Sequence, residues 1–235
     1  MKMIILCAGK GTRIGLDMPK CMLKFKKRTL LSYQIRTSGR FGLKPIVVTG
    51  FKGDRLKYIK SYHNKNYETT NMVESLICAK EEFDDDIVVS YGDIYYKRRV
   101  LEGLINQKGD FVVTVDKDWK KYWLLRYGTI GKDLESLKMR GKEIVEIGKP
   151  NPDILDIDGR FVGLVKFSKK GIENVLDVYE RTDMTRAYTT DLLQYLIDDG
   201  FYVKPYIIEN GWIEFDTRED YEKAKDGVFD CLNMS

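Results

Sequence analysis

The sequence predicts an α/β fold: a single domain on a mainly parallel, mixed sheet sandwiched by helices, in a Rossmann-like arrangement. Three observations lead there. Four apolar runs, "MIIL" (3–6), "PIVVTG" (45–50), "DIVVSYGD" (86–93) and "DFVVTVD" (110–116), are rich in β-branched residues and unbroken rather than alternating. Strands buried on both faces of a sheet read this way. Helix-period segments separate the runs, and the first run empties into a glycine-rich loop, "AGKGTRIG" at 8–15. That is the carboxyl end of a strand, where open parallel sheets bind ligands.

Taken in order, the strand at 3–6 and its loop are followed by a helix over roughly 29–40, the strand 45–50 and a helix over 53–62. A further helix is expected over 71–82, where Asn71 suits the N-cap and Glu74, three residues on, suits a capping box. The strand 86–93, a helix over 97–107 and the strand 110–116 complete this half. Beyond 116 the pattern changes to "DKDWKKYWLLRYG", dense in aromatics and charge. Strands are then expected at "KEIVEIGKP" and "RFVGLVKFS", helices over 171–180 and 186–199, and apolar runs at "YVKPYIIE" and "GWIEFD". The last helix starts near 218, with Thr217 as its cap and Asp220 in its first turn. No repeat, low-complexity tract or Gly/Ser/Pro linker divides the chain, so 1–235 reads as one domain, with 117–170 as an insertion.

Composition narrows the chemistry. With 43% hydrophobic and 32% charged residues, the chain has the balance of an ordinary soluble globular protein. No apolar stretch approaches the ~20 residues that span a bilayer, and the start lacks a signal-peptide pattern, so a cytoplasmic protein without a membrane partner is expected. The four cysteines are scattered and His63 is the single histidine. This argues against a zinc site, a disulfide framework and a histidine triad, leaving carboxylates, lysines, arginines or a bound metal. Residues 1–60 hold 15 Lys/Arg against 2 Asp/Glu, while the remainder is net acidic. Such asymmetry suggests a polyanion near the N-terminal part, the alternative being a solvated basic face.

The loop at 8–15 fits neither of two well-known phosphate loops. A P-loop needs a Ser or Thr after its Lys, but Gly11 follows Lys10; a dinucleotide fingerprint would place its third glycine on Ile14. Its glycines still let backbone N–H groups approach phosphate oxygens, and Arg13 and Lys20 add fixed charge.

The stretch "LCAGKGTRIGLDMPK" resembles the opening of the nucleotidyltransferases that make nucleoside-diphosphate-linked products, through Leu6, Ala8, Gly9, Gly11, Thr12, Arg13, Pro19 and Lys20. The likeness extends to "TGF" (49–51), "NMVESL" (71–76), "YGDI" (91–94), "EIGK" (146–149) and "GWIEFDT" (211–217). The short interval to "PK" is similar to that of the phosphocholine and phosphoglutamine cytidylyltransferase branch. The resemblance implies a GT-A-like nucleotidyltransferase fold and Mg²⁺ as cofactor, with Asp93 and Asp216 as its ligands. It implies catalytic roles for Arg13 and Lys20, and nucleotide contacts from Leu6, Ala8, Gly9, Gly11, Thr12, Asn71 and Gly92. It places the acceptor near Lys149, with Glu74 reaching nucleotide or acceptor. Each has a plainer alternative: a strand-end turn or cap for the aspartates, helix capping for Asn71 and Glu74, an exposed turn for Lys149.

The acceptor reading turns on Trp119, Trp123 and Arg126. The two tryptophans suit a cage for a quaternary ammonium, or one face of a helix packed into the core; Arg126 with Lys120 and Lys121 favours a carboxylate instead. The function expected is transfer of CMP from CTP to a small phosphorylated acceptor, such as phosphoglutamine or phosphocholine, releasing pyrophosphate, in capsule or surface polysaccharide modification. A sugar-1-phosphate nucleotidyltransferase using UTP or dTTP, and a non-catalytic nucleotide- or nucleic-acid-binding module, are the alternatives; no nucleic-acid partner is expected. The sequence leaves the oligomeric state open, a homodimer included.

Overall fold

Strands buried on both faces need helices on both faces, and the computed structural model, which describes residues 1–15, 17–56 and 59–232, has this form. In chain order the elements begin with β1 (Lys2–Cys7), β2 (Lys24–Phe25), β3 (Arg28–Thr29), α1 (Leu30–Arg40), β4 (Lys44–Thr49), β5 (Ser61–His63), α2 (Met72–Ile77), β6 (Ile87–Tyr91) and β7 (Ile94–Tyr96). They continue with α3 (Arg98–Ile105), β8 (Phe111–Asp116), α4 (Trp119–Tyr127), β9 (Glu135–Arg140), β10 (Glu143–Pro150) and β11 (Arg160–Phe167). The last are α5 (Lys169–Arg181), α6 (Thr189–Asp198), β12 (Val203–Ile208), β13 (Trp212–Glu214) and α7 (Arg218–Lys225).

Seven strands form the main sheet in the order β12-β8-β11-β6-β1-β4-β5. All neighbours run parallel except β11, which is antiparallel to both β6 and β8. Alternate residues of each strand feed two cores. Ile5, Val47, Val88, Val112 and Leu164 face α1, α3 and α4, while Ile4, Val48, Val89, Val113 and Val165 face α2, α5 and α6. This explains the unbroken apolar runs, since neither face meets water. Among the described residues, no helix is long and apolar enough to cross a membrane.

Most expected elements form near their predicted limits; three differ. The helix expected over 53–62 is a 3₁₀ turn at Gly53–Leu56, followed by β5, with 57 and 58 outside the described residues. Parallel pairing of Val47 with Ser61 and of Thr49 with His63 extends the chain there and completes the sheet edge. The helix expected over 71–82 stops at Ile77 and resumes as a 3₁₀ turn, Lys80–Glu82. There Glu82 turns inward, 4% exposed, to meet Lys2 at 2.9 Å. Finally, 117–170 is not one insertion: β11 is a central strand of the main sheet, and only α4 and the β9–β10 hairpin lie outside it.

Two devices position the upper end of the sheet. Gln34 of α1, fully buried, donates to the carbonyls of Tyr91 and Ile94, each at 2.9 Å, and accepts from Ser90 Oγ at 2.8 Å. The turn carrying Gly92 and Asp93 is thus held from below. Beside it, β7 and β13 pair antiparallel with Ile94 opposite Glu214, and Phe215 N donates to Asp93 O at 3.0 Å. This register brings Asp216 next to Asp93 across 123 residues of chain.

Candidate active site

The glycine loop begins where β1 ends. Gly11 adopts φ +61°, a left-handed conformation that L side chains rarely take, and a Cβ there would stand 2.4 Å from Lys20 Cγ. The Lys20 stem therefore lies against Gly11 on its way to the carboxylates. Gly92 donates its N–H to Leu6 O at 2.9 Å, and a Cβ on it would come within 2.6 Å of Cys7 Sγ and 2.7 Å of Leu6 O. Only glycine lets the β6 turn close this tightly on β1.

These approaches frame a cavity of about 310 Å³. Its wall contains every residue expected to bind nucleotide, catalyse or hold metal: Leu6, Ala8, Gly9, Gly11, Thr12, Arg13, Lys20, Asn71, Gly92, Asp93 and Asp216. At its centre Lys20 Nζ lies 2.9 Å from Asp93 Oδ2 and 2.7 Å from Asp216 Oδ1. Burial alone would lower the Lys20 pKa, but the two carboxylates outweigh it and hold the ammonium charged. Burial opposes the Asp216 charge likewise, yet Lys20, Arg13 and Arg126 pull its carboxyl down to about 2. Arg13, mostly exposed, reaches the same oxygen at 3.3 Å.

Two carboxylates converging on one cation present a hard, all-oxygen donor set that suits a divalent ion. Lys20 takes that position in this structure, so an incoming metal would free its ammonium toward the cavity. One oxygen each of Asp133, Glu214 and Asp216 also lie within 4.8 Å of one another, a second carboxylate group on the far side of Asp216.

Asp216 is held from behind. Asp220 closes the capping box of α7 with Thr217, and its Oδ2 accepts from the backbone N–H of Asp216 at 3.1 Å and of Thr217 at 2.8 Å. Arg126 grips Asp220 with Nε at 2.7 Å and Nη2 at 2.9 Å, pairs with Glu214, and stands 3.3 Å from Asp216 Oδ2. Burial, followed by the crowding of Asp216 and Asp93, pushes Glu214 up to about 7 against the pull of Arg126.

The expected acceptor residues do not line the cavity, and burial corrects the assignment of Trp119, Trp123 and Arg126. Trp119 and Trp123 are 1% and 0% exposed and pack edge-to-face at 5.7 Å, with Trp123 Nε1 donating to Lys132 O at 2.8 Å. The i, i+4 spacing serves the core, so neither ring is free to cage an ammonium. The Arg126 side chain is wholly buried and saturated by carboxylates, so it supports Asp216 rather than meeting a substrate. Glu74 forms no capping box; it accepts from Tyr179 Oη, away from the cavity, while Asn71 Oδ1 caps α2 through Met72 N at 3.0 Å. Lys149 is exposed and pairs with Glu146.

Sequence reasoning missed Cys21, Tyr67, Thr70, Ser75 and Tyr91 in the wall. It also missed Asn64 behind them, 1% exposed, whose Nδ2 donates to Thr70 Oγ1 and Ser75 Oγ, both at 3.0 Å. None sits in a local pattern that marks a site. Only Ser75, in "NMVESL", and Tyr91, in "YGDI", lie inside stretches the resemblance covers.

Comparison with known proteins agrees with this geometry. Residues 3–147 match the model of the MobA-like NTP transferase domain. The chain is 34% identical to the CTP:phosphoglutamine cytidylyltransferase of Campylobacter jejuni, over 94% of this chain and 98% of that protein. Among solved structures, the inositol-1-phosphate CTP transferase of T. maritima superposes with a TM-score of 0.75 at 20% identity, covering 98% and 97% of the two chains. The CTP:phosphocholine cytidylyltransferase of Streptococcus pneumoniae gives a TM-score of 0.71 at 19% identity, covering 96% and 97%. At these identities the structural likeness speaks for the fold.

Proposed function

The chain belongs to the family of MobA-like NTP transferase domains, and on that premise we propose that it is a cytidylyltransferase. It moves CMP from CTP to a small phosphorylated acceptor of the phosphoglutamine kind, with Mg²⁺ as the cation. The observation that carries this reading is the meeting of Lys20, Asp93 and Asp216 in one cavity, walled by Ala8, Gly9, Gly11, Thr12 and Arg13 of the glycine loop. The Campylobacter relative, matched over nearly its full length, supports CTP and the acceptor class.

In the reaction an acceptor phosphate oxygen attacks the α-phosphorus of CTP. A new phosphate–phosphate bond forms, the bond to the β-phosphate oxygen breaks, and pyrophosphate leaves. No covalent protein intermediate is needed, which accords with the lack of a histidine triad. Asp93 and Asp216 would hold Mg²⁺, which when bound offsets the charge of the triphosphate and of the entering phosphate. Lys20, freed from the carboxylates, supplies positive charge where it builds up at the α-phosphate, and Arg13 steadies the departing pyrophosphate. Backbone N–H groups of the glycine loop orient the phosphates, and Asn64, through Thr70 and Ser75, keeps the facing wall in place. A CDP-activated small group is a donor suited to surface polysaccharide modification, the setting we assign to the product.

The test is pyrophosphate release with Mg²⁺ and each of CTP, UTP, dTTP, ATP and GTP, against phosphoglutamine, phosphocholine and glucose 1-phosphate. Release with CTP and a non-sugar phosphate is expected. Release confined to UTP or dTTP with glucose 1-phosphate would transfer the function to sugar activation.

A further inference from the structure

On the far side of Asp216 from Lys20 lies a second group of charges that the mechanism above does not use. Arg160, at the start of β11, has a side chain only 10% exposed. Its guanidinium lies on the Trp123 ring, 4.5 Å from the centroid. Nη2 stands 3.9 Å from Asp133 Oδ2, while Nη1 is buried and meets no hydrogen-bond acceptor. A buried guanidinium N–H left unpaired is costly, and such a group asks for an oxygen.

The surroundings of Arg160 are acidic and partly open. Asp133 is 47% exposed and Glu135, the first residue of β9, is exposed beside it. Glu214 and Asp216 stand behind, the latter shared with the nucleotide cavity. Three carboxylates, those of Asp133, Asp191 and Asp216, act on Glu135 against Arg160. This is the mark of more negative charge than the local cations neutralise. Arg126 does not relieve it, being saturated by Asp220 and Glu214. Tyr91 joins the two regions: it lines the cavity, packs edge-on against Phe161 at 5.7 Å, and feels both Glu135 and Asp93.

Three ligands can be weighed. A lone ammonium would answer the acids but leave Arg160 Nη1 unpaired. A lone carboxylate would answer Arg160 but face four acids. A divalent ion on Asp133, Glu214 and Asp216 would set a cation beside a guanidinium and again leave Nη1 without an acceptor. A group carrying both charges a few ångströms apart answers both demands.

We propose that this acid-rimmed depression is the subsite for the end of the acceptor remote from its phosphate, and that it selects an α-amino-acid-type zwitterion. The carboxylate pairs with the Arg160 guanidinium, which swings its buried Nη1 outward to meet it, and the ammonium meets Asp133 and Glu135. The inference rests on the cytidylyltransferase reading and adds to it the residues that choose the acceptor.

The test is steady-state kinetics with CTP and three acceptors sharing one phosphorylated amide: phosphoglutamine, its decarboxylated analogue and its N-acetyl derivative. In the wild type each analogue should lose roughly tenfold or more in kcat/KM, the effect of one charged hydrogen bond. Arg160→Gln should erase the preference for phosphoglutamine over the decarboxylated analogue yet still reject the N-acetyl derivative, with Arg160→Lys intermediate. Asp133→Asn should do the reverse. A merely structural role would lower all three acceptors together, and that result overturns the proposal. So does equal kcat/KM for the three acceptors in the wild type, a comparison that needs no variant to fold. Loss of a bound Mn²⁺ from Asp133→Asn by paramagnetic resonance, with acceptor preference unchanged, would make the depression a metal site and overturn it too. Turnover with glucose 1-phosphate alone would remove the cytidylyltransferase reading itself, a failure distinct from these.

Discussion

The loop around Gly9–Lys20 and the helix Trp119–Tyr127 both look like sites in the sequence, and only the first lines the cavity. In the loop, charge and glycine serve a cavity: the Lys20 stem lies along Gly11, and its ammonium ends between two carboxylates. In the helix, aromatics and charge serve the interior, where Trp119, Tyr122 and Trp123 pack edge-to-face and Arg126 fills a cage of acids. The difference lies in what glycine does. A left-handed glycine and a missing Cβ have few structural explanations besides close approach, whereas an i, i+4 pair of tryptophans fits a binding face and a core face equally well. The helix still reaches function indirectly, because Arg126 supports the residue that supports Asp216.

That contrast can be broken by substitution. The largest stability effect belongs to the helix: Arg126→Ala strands Glu214, Asp216 and Asp220 around a vacated cation, and should cost about 3–5 kcal/mol in denaturant unfolding. Trp123→Ala should cost a similar amount through the cavity it leaves. A loss under about 1 kcal/mol in either would place these side chains outside the core, contrary to their burial. In the loop the order reverses. Lys20→Met leaves Asp93 and Asp216 facing each other without their cation and should cost about 1.5–3 kcal/mol, less than Arg126→Ala, but reduce turnover on the order of 10²–10³-fold, as the loss of one charge-stabilising donor does. Gly92→Ala forces a methyl group against Cys7 Sγ and Leu6 O and should destabilise by about 1–3 kcal/mol.

A smaller effect sharpens the electrostatics. The Asp216 pKa is held at about 2 against an ordinary 3.8. Its ionised form therefore adds stability that is present above pH 3.8 and is lost as pH falls through about 2. Thermal unfolding of the parent and of Asp216→Asn across this range should show the gap between them narrowing as pH falls. A gap that widened on acidification would contradict the ion pairing with Lys20. Smallest of all is the exposed Lys149–Glu146 pair, whose removal should change stability by no more than about 1 kcal/mol.

Much of the fold was legible because buried parallel strands carry an unbroken apolar signature, and β1, β4, β6 and β8 all do. The segment at 53–62 was not, because its fate depends on an edge pairing with β4 that no local pattern announces. In the site, Asp93 and Asp216 were legible singly through their motifs, but their meeting depends on the register of β7 with β13. Tyr67 and Thr70 reach the cavity by tertiary placement alone, as Asn64 reaches its place behind them. Arg160 was hidden for the same reason: in sequence it is one more basic residue at the start of a strand, and its unpaired Nη1 is visible only once Asp133 and Trp123 are folded around it.

The central claim is that Lys20, poised between Asp93 and Asp216, serves CTP chemistry. Its most direct test is pyrophosphate release from CTP and phosphoglutamine by folded Lys20→Met beside the parent. A drop on the order of 100-fold or more, in a variant that still unfolds cooperatively, is the predicted result. Turnover within about threefold of the parent, in a folded variant, would contradict it.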